Sequence, residues 1–166
     1  MQTNEYEVGG FLDYGKKSKK ITLERFISYI GNEASVQIPE SDYEIDWHIH
    51  PPRDDGRAFD PPSSDDMFAL LEDNIETDTQ ISLVFATEGV YVMKPTSVLI
   101  GKYKGMSQDE QDDFEVSVRE LLDFMWENAA TKRDVDEFFK AVKKTGFSIR
   151  LHPYTKPLNM LIRLHN

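Results

Sequence analysis

The stretch YEIDWHIH, Tyr43 to His50, alternates its side chains with the period of two of a β-strand and is halted at once by Pro51 and Pro52. Such a strand has two unlike faces. Tyr43, Ile45, Trp47 and Ile49 share one, and Asp46, His48 and His50 share the other. Residues two apart on a strand sit roughly 6 to 7 Å apart along the chain, close enough for both imidazoles to turn onto one ion. Whatever the chain folds into must therefore cover an apolar face and find a use for a polar one.

Few other residues can share that work. The only other histidines are His152 and His165, and neither has a partner at ligand spacing. Cysteine is absent, which excludes both a disulfide framework and a thiolate zinc site, so a transition metal would have to be held by His, Asp, Glu or water. With 30 Asp+Glu against 19 Lys+Arg the formal charge is -11, which opposes a phosphate backbone and favours a cation or a basic protein surface as partner. Nucleic acid is not expected. No apolar run approaches the roughly 20 residues that span a bilayer, and MQTNEYEVGG lacks the basic and apolar regions of a signal peptide. The expectation is a soluble protein of the cytoplasm or nucleus with no membrane partner.

The 166 residues suffice for one core of ordinary size, so a single domain over 1–166 is expected. Strands are expected over Glu5 to Leu12 and Lys20 to Ile30, joined through the lysine-rich DYGKKSK. Arg53 to Pro62 holds three aspartates, a glycine and two prolines and reads as a loop. SSDDMFALLEDNI reads as a helix capped by Ser63 or Ser64, with Met67, Leu70, Leu71 and Ile75 as its apolar stripe. Gln80 to Ala86 and Val90 to Lys94 are expected as interior strands around the turn TEG. Ser107 to Lys132 is expected as a long amphipathic helix that buries Phe114, Val118, Leu121, Leu122, Met125, Trp126 and Ala129. A helix over Asp134 to Lys144 ends at Gly146, and strands over Phe147 to Leu151 and Leu158 to Leu164 close the chain. The result is a mixed α/β or α+β chain whose strands need not all be parallel.

Two histidines on a strand and one carboxylate would leave an ion such as zinc an open position, which is the arrangement of catalytic zinc sites. By itself His-x-His is equally what two polar residues on the solvent face of an edge strand look like, and so short a pattern matches often by chance. Glu7 read alone is a surface strand residue, Ser63 an N-cap and Asp66 a first-turn acid that complements the helix dipole.

Three segments taken together, EVGGFL at Glu7 to Leu12, WHIHP at Trp47 to Pro51 and SSDD at Ser63 to Asp66, resemble in chain order the JAMM (MPN+, JAB domain) family of zinc metalloproteases. The resemblance covers a motif-bearing core over 1–95; over 107–166 it extends only to the order of helices and strand. It implies a JAMM/MPN-like, cytidine-deaminase-like mixed sheet flanked by helices. It also implies that Zn2+ is held by His48, His50 and Asp66, that Glu7 takes a proton from the attacking water, and that Ser63 donates to the developing oxyanion. Ile49 stands where the family has Ser or Thr, but on the opposite strand face. His50 to Asp66 is a spacing of sixteen, longer than the family pattern, with the extra residues in RDDGRAFDPP. That insertion leaves Asp65 or Asp60 open as the carboxylate ligand, with Asp66 preferred because it stands three residues after Ser63. The inserted loop would lie at the rim of the site, so Arg53, Arg57 and Phe59 are the candidates for contacting substrate. Family members carry a helix before the glutamate, whereas Glu7 stands near the first residue; either that helix is missing or the chain is a piece of a longer product.

The implied activity is hydrolysis of peptide or isopeptide bonds, as in deubiquitinases, with ubiquitin or a ubiquitin-like conjugate as partner. The second, Cys-containing zinc site of some ubiquitin-chain-specific relatives cannot exist here. A catalytically silent MPN-type scaffold and a JAMM peptidase acting on another conjugate are the alternatives. Silent relatives generally lose ligands, and here all five motif residues are present.

Overall fold

A computed structural model describes residues 7–15, 20–31, 36, 44–52, 58–77 and 79–155, with the backbone alone for 13–15 and 20–29. Its strands are β1 (Val8–Gly15), β2 (Lys20–Ile30), β3 (Ile45–Ile49), β4 (Ile81–Ala86), β5 (Gly89–Pro95) and β6 (Phe147–His152). They form one six-stranded sheet in the order β2-β1-β3-β4-β5-β6. Among the described residues four helices accompany it: α1 (Ser64–Glu76), α2 (Ser97–Lys104), α3 (Gln108–Glu127) and α4 (Lys132–Thr145). The chain is thus a mixed α/β fold.

Among the described residues β3 and β4 are the one parallel pair, with Trp47 beside Leu83 and His48 beside Val84, and the other pairings are antiparallel. A parallel pair cannot be joined by a tight turn, so α1 serves as the crossover between them. This brings the start of α1 back over the end of β3, outside the carboxyl ends of two parallel strands, where α/β sheets commonly bind ligands. β4 and β5 lie inside the sheet, as their apolar runs require.

The two faces of the sheet are covered differently. Val84, Ala86, Tyr91, Met93, Phe147 and Ile149 meet the apolar sides of all four helices in one cluster, through Met67, Phe68, Leu71, Leu99, Leu122, Phe138 and Val142. Ile45, Trp47, Ile81, Leu83 and Val90 cluster with Leu12 on the opposite face. Side chains alternate along a strand, so Asp46 and His48, between those apolar residues, face the helical side.

Several boundaries differ from those expected. β1 begins at Val8 and runs on to Gly15, so the expected turn starts later, and 16–19 lie outside the described residues. α2 has no counterpart in the sequence reading. It is short and contains Gly101, but Thr96 caps it by accepting from the Leu99 amide, and Lys102 and Lys104 occupy its last turn. α3 stops at Glu127 instead of Lys132, where Asn128 ends it, and a new helix starts after the cap Thr131. Leu121 and Phe124 of α3 are exposed, whereas Val118 and Leu122 are buried, so the buried stripe is narrower than the periodicity implied. The expected strand over Leu158 to Leu164 and His165 lie outside the described residues. Among the described residues no helix is long and apolar enough to cross a membrane.

Candidate metal centre

β3 delivers the histidines. His48 is its fourth residue and His50 follows its last, held by a bond from the His50 amide to the Phe85 carbonyl at 2.9 Å. Both rings are buried. On the other side of β3 the antiparallel register sets Gly9 of β1 directly opposite His48. Glu7 is two residues before Gly9, so it shares the histidine face of the sheet, and its carbonyl is tied to the Gly31 amide at 2.8 Å.

α1 delivers the carboxylate. Ser63 is its N-cap, and Asp66, three residues on, closes a capping box in which the Ser63 amide donates to Asp66 Oδ2 at 2.7 Å and the Ser63 hydroxyl at 2.8 Å. In return Ser63 Oγ accepts from the Asp66 amide at 3.2 Å. These bonds occupy Oδ2 and hold the carboxylate with Oδ1 3.3 Å from His48 Nε2. His48 Nε2 and His50 Nε2 are 3.1 Å apart, and His50 Nε2 is 3.6 Å from Asp66 Oδ2.

His48, His50 and Asp66 therefore bring their ligand atoms close enough to hold a metal ion. A tetrahedral ion with ligands about 2.0–2.1 Å away separates them by about 3.3 Å from one another, and the observed spacings of 3.1 and 3.3 Å lie near that value. The donor set of two imidazoles and one carboxylate fits zinc.

Of the other carboxylates considered, Asp65 turns outward to Arg119. Asp60 approaches His50 from behind: His50 Nδ1 is 3.3 Å from both the carboxylate and the carbonyl oxygen of Asp60. Phe59 is half-buried beside it, while Arg53 and Arg57 lie outside the described residues. The tail of the insertion thus folds against the site.

The electrostatics follow from this crowding. Burial opposes a charge on His50, but the hydrogen bonds to Asp60 and Asp66 outweigh it and push its pKa up to about 10. Burial alone would raise the Asp66 carboxyl; the charges and hydrogen bonds of His48 and His50 instead hold it well below the usual range. Glu7 is raised by burial, with His48 and His50 pulling it down and Asp66 and Asp60 adding to the rise. A raised carboxyl is a better proton acceptor near neutral pH than an ordinary one.

Asp46 is a residue to which the sequence reading gave no role. It lies on the histidine face two residues before His48, and burial pushes its pKa up to about 7 against a hydrogen bond to Ser82 and the pull of His48. Its Oδ1 has no hydrogen-bond partner among the described residues. The signal was visible, since a carboxylate in the middle of a strand that runs through a core is unusual.

Comparison with protein-family models, with curated proteins and with solved structures finds no match.

Proposed function

We propose that this chain is a zinc-dependent metallopeptidase that hydrolyses peptide or isopeptide bonds, with a ubiquitin or ubiquitin-like conjugate as the first substrate class to test. The observation that carries the reading is the convergence of His48 Nε2, His50 Nε2 and Asp66 at spacings of 3.1 to 3.6 Å beside Glu7. Two histidines from the end of one strand and a carboxylate from the start of a helix sixteen residues on have no need to meet in this way on a solvated strand face.

His48, His50 and Asp66 would hold the ion, with Asp66 contributing Oδ1 because Oδ2 is taken by Ser63. When bound, zinc supplies Lewis acidity, which makes water a better nucleophile near neutral pH and polarises the scissile carbonyl. Glu7 takes the proton that the attacking water gives up and returns it to the leaving amine as the C–N bond breaks. Ser63 donates to the oxyanion, for which its hydroxyl must turn away from Asp66. The charge of -11 suits a basic protein substrate by steering.

The test combines metal content with turnover. Wild type is expected to hold one zinc per chain and His50→Ala none, while Glu7→Gln keeps the metal and loses hydrolysis of ubiquitin conjugates. A folded wild type that binds no zinc would sink the reading. Zinc without hydrolysis would leave a metal-binding scaffold.

A further inference from the structure

Asp60 belongs to the insertion that separates the histidines from Asp66, yet it is placed with care. Its amide donates to Glu88 Oε1 at 2.7 Å, and Glu88 also accepts from the Tyr91 hydroxyl. The next residue, Pro61, accepts from Trp126 Nε1 at 2.6 Å through its carbonyl. The turn between β4 and β5 and the end of α3 therefore clamp this part of the loop from two sides. What the clamp presents to the site is an acceptor pair, the carbonyl and carboxylate of Asp60, each 3.3 Å from His50 Nδ1.

We propose that Asp60 is a positioning residue for His50: by accepting the Nδ1–H it fixes the ring's orientation and tautomer, so that the Nε2 lone pair faces His48 and Asp66. This rests on the metal reading above and deepens it. An imidazole has two nitrogens, and a ligand must keep one of them unprotonated. A carboxylate on the other decides which one, makes the ring more basic as a donor, and removes the entropy of ring rotation. Through Asp60 the insertion becomes part of the metal site itself as well as its rim.

The experiment measures zinc affinity and the long-range 1H–15N correlations of the His50 ring in wild type, Asp60→Ala and Asp60→Asn. In zinc-loaded wild type the ring proton is expected on Nδ1. In Asp60→Ala, where only the backbone carbonyl remains, zinc affinity should fall about tenfold, the lower end of what loss of such a partner usually costs, and the Nδ1–H should exchange faster with water. Asp60→Asn keeps an oxygen acceptor and should lie between the two. A role confined to holding the loop would lower the melting temperature while leaving affinity and the Nδ1–H unchanged, and that result would overturn the proposal. Spectra of the metal-free protein separate the two claims. An Nδ1–H whose protection depends on Asp60 upholds the contact even if wild type takes no zinc, in which case it is the metal reading that fails.

Discussion

His48 Nε2 lies 3.1 Å from His50 Nε2, with Asp66 Oδ1 3.3 Å from the former. Two lone pairs cannot face each other at that distance, so either one ring nitrogen carries a proton or both face a shared cation. In the metal-free protein His50 carries that proton, since against the opposition of burial its hydrogen bonds to Asp60 and Asp66 raise its pKa.

Zinc uptake should accordingly release a proton. With the His50 pKa raised from 6.5 to about 10, the ring is charged at neutral pH and must be deprotonated to ligate. Apparent zinc affinity is expected to rise by about tenfold per pH unit between roughly pH 7 and 9. Calorimetric titration in two buffers of different ionisation enthalpy reads the proton directly, and a pH-independent affinity contradicts the assignment.

The stability of the metal-free protein has a matching pH window. A raised histidine pKa contributes stability that is fully present below pH 6.5 and is lost as pH rises through about 10. The depressed Asp66 contributes stability that is present above pH 3.8 and is lost as pH falls further. This pair should therefore support the fold most strongly between those limits, and zinc should remove the alkaline loss. Thermal melts across pH with and without zinc check it.

Asp46→Asn should stabilise the metal-free protein at pH 8 and have little effect at pH 4. The raised pKa of about 7 means that ionising this buried carboxyl works against folding, so its cost is absent below pH 3.8 and fully present above about 7. The gain at pH 8 is on the order of 2–4 kcal/mol, reduced by the poorer hydrogen bond that an amide makes with Ser82. Denaturant melts at the two pH values measure it. Equal effects at both would mean that Asp46 ionises as readily in the folded as in the unfolded chain.

Ser63→Ala removes the side-chain half of the α1 capping box, leaving the bond from the residue-63 amide to Asp66 Oδ2, and should cost about 1 kcal/mol, or roughly 2–4 °C in Tm. Because the same change takes away one of the two bonds that hold Asp66 Oδ2, zinc affinity is expected to fall as well. A Tm loss with unchanged zinc binding would show that Asp66 is held from elsewhere.

Gly146→Ala tests the junction of α4 and β6. Gly146 has φ 104° and an added Cβ would stand 2.8 Å from Leu99 Cβ. Left-handed backbone costs a non-glycine residue about 1 kcal/mol, and the clash adds to it. A loss of about 2 kcal/mol or more is expected, with zinc binding intact since α4 takes no part in the site. Urea unfolding reads the loss, and a wild-type midpoint would refute the strain.

Much of this was legible in local pattern. The period of two in YEIDWHIH assigns Asp46 and His48 to one face without reference to any other residue, and Ser63-Ser64-Asp65-Asp66 announces a capped helix start. α2 went unread because its eight residues are too few for an apolar stripe to emerge. Leu121 was misplaced because a helix of 3.6 residues per turn leaves positions at the edge of the stripe undecided until a neighbour covers them. Local sequence determines such things because backbone sterics and side-chain period act over a few residues. The antiparallel register that sets Gly9 beside His48, the pairing of Asp65 with Arg119, and the turn of Asp60 onto His50 Nδ1 belong to the tertiary structure alone. Each depends on where a loop closes and what packs against it. Those contacts link residues far apart in the chain, and no local propensity encodes them.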